Sequence, residues 1–272
     1  MEKPSFSGRF FYSLYYTLSS YSIREQELIM DFYSVLSRYY DEVFPLSEEC
    51  SGFVQKNMNS GGTLLDAGCG TGELVLHLQK EGIQAHGFDL DEGMILSAAS
   101  AAADAGLPGN DLFRIANLSE MKNQYEDKSQ DVLSCLGNTL IHIPFNEQFQ
   151  FLQDTAKVLK PGGLLILQIL NYNNILHDGL KFPLIETENC IFRRTYEARE
   201  LVGELDFVTE LEIKNSGETY TNSIIHYPLL PETLMAALSM SGYSGWETFG
   251  SYDGSPAGEG KLPLIITARI PD

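Results

Sequence analysis

Cysteine, basic charge and long apolar runs are all scarce in this chain. Its four cysteines, Cys50, Cys69, Cys135 and Cys190, show no C-x-x-C spacing, and His77, His86, His142, His177 and His226 do not complete a zinc pattern. Reduced thiols in a cytoplasmic protein are the expectation, with no metal site. Lys and Arg number 18 against 37 Asp and Glu, for a formal net charge of -19 at pH 7. A surface of that sign repels phosphate backbones and anionic membranes, so neither nucleic acid nor a membrane is an expected partner. No stretch reaches the roughly 18 apolar residues that a membrane span needs. The opening MEKPSFSGRFFYSLYYTLSSYS lacks the compact apolar core and small-residue cleavage site of a secretory leader. No internal repeat or low-complexity tract stands out.

What is present supports a buried core. Of the 272 residues, 43% are hydrophobic and 11% aromatic, which argues against global disorder. Helical spacing of Ile23, Leu28, Ile29, Phe32, Val35, Leu36 and Tyr39 predicts a helix over 23–41. A second helix is expected from Leu46 to Met58 with Ser47 as its N-cap. From residue 63 the pattern alternates. TLLDA, IQAHGFD, DLFRIAN, DVLSCLGN and the nearly unbroken GLLILQILNY read as strands. GELVLHLQKEG, DEGMILSAASAAADAG and FNEQFQFLQDTAKVLK read as helices, the last stopped by Pro161-Gly162-Gly163. Repeated units of this length imply an α/β fold with a doubly wound parallel sheet.

The pattern then changes. Residues 190–199, 205–214 and 219–228 read as strands with no helix between them, and Asn215-Ser216-Gly217 marks a hairpin turn. PETLMAALSMSG returns to helix, and WETFGSY and LPLIITARI close the chain as strands. The expected organisation is an N-terminal helical cap over 1–60, an α/β domain over 61–174 and 229–272, and an antiparallel β insertion over 175–228.

The loop LLDAGCGTGEL at 64–74 raises the question of its ligand. A dinucleotide fingerprint needs G-x-G-x-x-G, but Glu73 stands where its third glycine belongs. A phosphate-binding G-x-x-x-x-G-K-[ST] loop needs a lysine that this turn lacks. Glu73 also sets a negative charge at the helix start, where a phosphate would sit. The remaining reading is a nucleoside with a zwitterionic tail. Glycines admit close backbone approach, Asp66 can help fix an ammonium, and Asp89 at the next strand end can accept from both ribose hydroxyls.

With GFDLDEGMI at 87–95, IANL at 115–118, DVLSCLGNTLIHI at 131–143 and VLKPGGLLILQ at 158–168, that loop resembles the class I S-adenosylmethionine-dependent methyltransferases. The resemblance spans about residues 63–171 and implies a Rossmann-like seven-stranded sheet whose last strand runs antiparallel. It also implies S-adenosyl-L-methionine as cofactor. Asp66, Gly68, Gly70 and Gly72, with Cys69 between them, would line its methionine and ribose side, and Asp89 would hold the ribose hydroxyls. Leu90 and Met94 would pack on the adenine, Asn117 and Leu118 would meet its edge, and Leu136 would offer backbone to the ammonium. Many relatives carry Asp where this chain has Asn117. Relatives also cover the cofactor with an N-terminal aromatic segment, which points to Tyr33.

CLGNTLIHI and LQILNYNNIL further resemble the glycine/sarcosine N-methyltransferase branch of small-molecule enzymes. That likeness implies a small-molecule acceptor, an amine or amino-acid nitrogen, met by Asn138 and Tyr172; His142 is the candidate base, because an imidazole titrates near neutral pH. Arg193 and Arg194 are candidates for an acceptor carboxylate. Two alternatives stay open: an O- or C-methyltransferase on the same fold, and a noncatalytic S-adenosylmethionine-binding regulator. An oligomer is compatible with the sequence.

Overall fold

The computed structural model describes residues 32–178, 182–199, 203–258 and 260–272. Residues 23–31 of the helix expected over 23–41 lie outside these residues. Its remainder is helical over 32–36, turns over 37–39, and resumes as α1 (Tyr40–Val43). Helix α2 (Glu48–Lys56) starts as expected at Ser47, whose hydroxyl accepts from the Cys50 amide at 3.1 Å.

The alternating region follows as β1 (Thr63–Ala67), α3 (Glu73–Lys80), β2 (Gln84–Asp89), α4 (Glu92–Asp104), α5 (Gly109–Leu112), β3 (Phe113–Ile115), β4 (Gln130–Cys135), α6 (Phe145–Val158) and β5 (Leu159–Leu170). Next come α7 (Tyr172–Asp178), then β6 (Ile185–Glu186), β7 (Cys190–Ala198), β8 (Leu205–Ile213) and β9 (Thr219–His226). Helix α8 (Pro231–Met240) and strands β10 (Gly245–Phe249) and β11 (Pro263–Arg269) close the chain.

Seven strands form one sheet in the order β10-β11-β5-β4-β1-β2-β3. β2, β1, β4 and β5 pair in parallel, whereas β11 runs antiparallel to both its neighbours. Alternation along each strand explains why the sheet is covered on both faces. Leu64, Val132, Leu164 and Ile166 enter one hydrophobic cluster, while Leu65, Leu133, Leu165 and Leu167 enter another. Helix α6 buries Gln148, Phe151, Leu152, Thr155 and Val158, a stripe at helical spacing that faces the second cluster.

The remaining strands form an antiparallel sheet in the order β6-β7-β8-β9. Gly217, at φ +71°, makes the β8–β9 turn, and its amide donates to the Ile213 carbonyl at 2.8 Å. Phe32, Leu36 and Val43 pack with Cys190, Phe192, Leu211 and Ile213, so the segment ahead of the large sheet leans on the small one. Two sequence expectations shift. The strand expected over 111–117 keeps only three residues, because the α5 turn takes its start. The strand expected to run to Tyr172 ends at Leu170, and Tyr172 begins α7.

Candidate active site

The glycine loop leaves the carboxyl end of β1. Gly68, Gly70 and Gly72 all have positive φ, at +76°, +54° and +80°. Each is pressed by a neighbour. A Cβ on Gly68 would lie 2.3 Å from Thr139 Cγ2, one on Gly72 would lie 2.5 Å from the Phe113 ring, and one on Gly70 would lie 3.2 Å from Tyr40 Cε1. Gly68→Ala therefore combines left-handed strain with overpacking against a short branched side chain. We expect a loss of about 2–3 kcal/mol of stability. Equal urea midpoints for variant and wild type would contradict this.

Asp89, at the end of β2, organises the loop. Its Oδ2 accepts from the Gly70 amide at 2.9 Å and its Oδ1 from the Asp91 amide at 3.0 Å. A carboxylate has about four lone-pair sites, so each oxygen keeps capacity for a ligand hydroxyl. Burial pushes its pKa up, against these backbone bonds. Asp66 is only 5% exposed and accepts from the Ser134 hydroxyl at 2.7 Å. Burial, with Asp89 adding, lifts its carboxyl to about 7. Cys69 packs against Gly87, and burial and both carboxylates push its thiol well up, so it stays a neutral thiol.

The apolar and edge positions also gather here. Asp91 caps α4 by accepting from the Met94 amide at 2.9 Å, and Met94 is buried behind that cap. Leu90 is half-buried between Asp89 and the cap. Asn117 and Leu118 are buried at the end of β3, and Asn117 Oδ1 accepts from the Ser119 amide at 3.1 Å. Leu136 follows β4, and its carbonyl accepts from the Thr139 hydroxyl at 2.7 Å and the Thr139 amide at 3.2 Å.

Tyr33 packs edge-on with Phe32 against the small sheet. The ring over the loop is Tyr40, near the end of the helix expected over 23–41. Asp41 beside it accepts a hydrogen bond from the Thr71 hydroxyl. Glu73 ties the same segment down, accepting from the Leu46 amide at 2.8 Å. No sequence pattern separates Tyr40 from its aromatic neighbours; the break over 37–39 sets its direction.

The acceptor candidates meet at the ends of β4 and β5. Asn138 is left-handed, at φ +68°, and its Oδ1 accepts from the Leu170 amide at 2.9 Å. Its Nδ2 donates to Tyr172 Oη at 3.1 Å and Tyr196 Oη at 3.4 Å. Tyr196 Oη lies 3.0 Å from His226 Nδ1, and the His226 ring lies 4.3 Å from that of His142. Burial lowers the His142 pKa to about 4 and His226 well below its usual value, so both imidazoles are neutral near pH 7. Asn138, Tyr172 and His142 thus belong to one cluster, joined by Tyr196 and His226, which the sequence reading missed. Arg193 is corrected: Glu210 at 2.7 Å and Glu212 at 3.0 Å hold its guanidinium.

Residues 64–163 match the methyltransferase-domain family. The match takes in 100 of the chain's 272 residues, from β1 into β5. The chain is 28% identical over 153 residues to a ubiquinone biosynthesis O-methyltransferase of Aliivibrio fischeri, over 53% of this chain and 63% of that protein. It spans 44% to 63% of the length of such curated relatives. Two solved structures share the fold. One is an S-adenosylmethionine-dependent methyltransferase from Clostridium acetobutylicum, with TM-score 0.73, 14% identity, and 89% of this chain and all of that one covered. The other is CalS10 of Micromonospora echinaspora, an amino pentose methyltransferase with S-adenosylmethionine bound, with TM-score 0.57, 16% identity and 99% of each chain covered. Among the described residues no helix is long and apolar enough to cross a membrane.

Proposed function

We propose that this protein transfers the methyl group of S-adenosylmethionine to the amine nitrogen of a small molecule. One observation carries the reading: the backbone at Gly68 lies directly against Thr139, the neighbour of Asn138. The cofactor loop and the acceptor cluster therefore share a wall. The bare glycine backbone and the spare lone pairs of Asp89 suit a nucleoside with a sugar diol. When bound, S-adenosylmethionine supplies a methyl group on a positively charged sulfur, open to in-line displacement.

The protein's share of such a reaction is alignment and exclusion of water. Tyr40 covers the loop at Gly70, and Asp41 and Glu73 hold that cover in place. Asn138 and the Tyr172 and Tyr196 hydroxyls present both donors and acceptors to the acceptor's reacting end. Neutral imidazoles at His142 and His226 add no positive charge beside an incoming sulfonium. The surrounding negative charge of the chain favours approach of a cationic amine.

An oxygen acceptor is the second reading. The Tyr196–His226 contact at 3.0 Å places a proton acceptor beside the cluster, as a hydroxyl substrate would require. The test is incubation of the full chain with methyl-labelled S-adenosylmethionine and a metabolite extract, followed by mass spectrometry of labelled products. N-methyl products are expected. Labelled ethers or esters would replace the first reading by the second. Tight cofactor binding with no labelled product would replace both by the regulatory alternative.

A further inference from the structure

The inner face of the small sheet carries a polar row in which, among the described residues, several buried side-chain atoms have no hydrogen-bond partner. Cross-strand register aligns Arg194 with Thr209, and Thr209 with Asn222. The rows on either side are apolar and aromatic. Phe192, Leu211 and Tyr220 align on one side, and Tyr196, Phe207 and Ile224 on the other. Thr209 is 2% exposed and Asn222 5%. Yet both Oδ1 and Nδ2 of Asn222 are buried without a hydrogen-bond partner, and so is Nε of Arg194. Among the described residues no carboxylate pairs with Arg194. Its guanidinium is instead flanked by three rings, 4.7 Å from the Phe182 centroid, 5.6 Å from Phe44 and 5.8 Å from Phe192. Rings over the faces of a guanidinium leave its in-plane N–H groups free to donate.

Unpaired buried amide groups and an unpaired buried guanidinium nitrogen are costly, and native proteins fill such positions. The row also lies in a telling place. On β7, Phe192 meets Phe44, whose ring is 5.2 Å from that of Tyr40 at the glycine loop. Two residues beyond Arg194 in the other direction, Tyr196 meets Tyr172 and Asn138. Arg194 stands between the cover of the cofactor loop and the acceptor cluster.

We infer that Arg194, Thr209 and Asn222 form the recognition site for a carboxylate on the methyl acceptor. The inference rests on the proposed transfer reaction and narrows its substrate class to small carboxylic acids. Arg194 supplies the charge and a planar pair of donors. Asn222 supplies one further donor, and an acceptor for a neighbouring hydroxyl or amine of the same ligand. The flanking rings exclude water and suit an apolar or flat body.

The experiment titrates the full chain, with and without S-adenosylhomocysteine, using matched carboxylates and carboxamides: benzoate and benzamide, glycine and glycinamide, hexanoate and hexanamide. Arginine Nε–H signals in nitrogen-resolved NMR report binding, with the Arg194 signal assigned from Arg194→Lys. At least one carboxylate is expected to shift that signal while its amide does not. Arg194→Met should weaken that carboxylate roughly 10- to 100-fold, the range for a lost charged hydrogen bond. Arg194→Lys should lose less, and Asn222→Leu should also weaken it. Both Arg194 variants also give up the guanidinium contacts with the Phe182, Phe44 and Phe192 rings, so each is titrated well below its own melting temperature. Amides binding as well as acids, a carboxylate indifferent to Arg194→Met, or silence across the whole panel would each overturn the site. Calorimetry with S-adenosylmethionine on the wild type is scored separately. Absent cofactor binding would refute the transfer reaction, whatever the carboxylates do.

Discussion

Asp89→Ala is expected to weaken S-adenosylmethionine binding by about 3 kcal/mol, roughly 150-fold. Two losses combine. The ribose diol loses an acceptor, and a hydrogen bond to a charged group contributes about 1.5–3 kcal/mol. The Gly70 amide, held at 2.9 Å by Oδ2, also loses its partner. Gly70 at φ +54° is then free to sample conformations that a ligand must pay to exclude, and preorganisation is lost. Asp89→Asn separates the two losses. One oxygen survives, so either the loop bond or part of the diol contact persists, and an intermediate affinity is expected. Calorimetry is the measurement. An Asp89→Ala protein with native circular dichroism and an unchanged dissociation constant would remove Asp89 from the cofactor site.

That prediction was open to sequence reasoning, and the cause is local chemistry. The strand–loop–helix unit around residues 63–80 is encoded within a short stretch. Apolar residues alternate between two clusters, glycines permit positive φ, and an acid closes the next strand. Ser47 and Gly217 were legible for the same reason, since a cap or a turn is decided by a few adjacent residues. The acceptor side was legible only in part. Asn138 and Tyr172 lie at strand ends and announce themselves by position. Tyr196, Asn222 and His226 do not. Their roles depend on strand register and on which face of the small sheet meets the large one, and period-2 alternation specifies neither. Arg193 and Arg194 show the difficulty most sharply. Adjacent strand residues face opposite ways, so one meets Glu210 and Glu212 outside while the Nε of the other is buried within, with no hydrogen-bond partner among the described residues. Tyr40 escaped for another reason: the helix break over 37–39 turns its ring to the loop, and nothing in an aromatic-rich segment marks that break.

Asp66→Asn is expected to stabilise the protein above pH 7 while weakening cofactor binding. The Asp66 carboxyl is pushed up to about 7, chiefly by burial and further by Asp89, against the Ser134 hydrogen bond. An unfolded chain restores a value near 3.8. Below that pH both states hold the proton and the fold loses nothing. Between about 3.8 and 7 the unfolded carboxyl ionises while the folded one stays protonated, so stability falls as pH rises. Above 7 both are ionised and the loss is complete. A difference of about 3 pH units corresponds to about 4 kcal/mol. A neutral amide avoids this loss and still accepts from Ser134. The variant should therefore gain in melting temperature at pH 8.5 relative to wild type, with little difference at pH 4. Binding should move the other way. On the proposed reading a cationic ligand draws Asp66 into its ionised form, so wild-type affinity rises as pH passes 7 and binding releases a proton. Calorimetry in two buffers of different ionisation enthalpy counts that proton. The variant should release none from this site and bind more weakly at pH 8.5. A variant whose melting temperature tracks the wild type at both pH values would show that the buried carboxyl carries no such charge cost. One that binds with unchanged affinity and proton count would place the ligand's cationic group elsewhere.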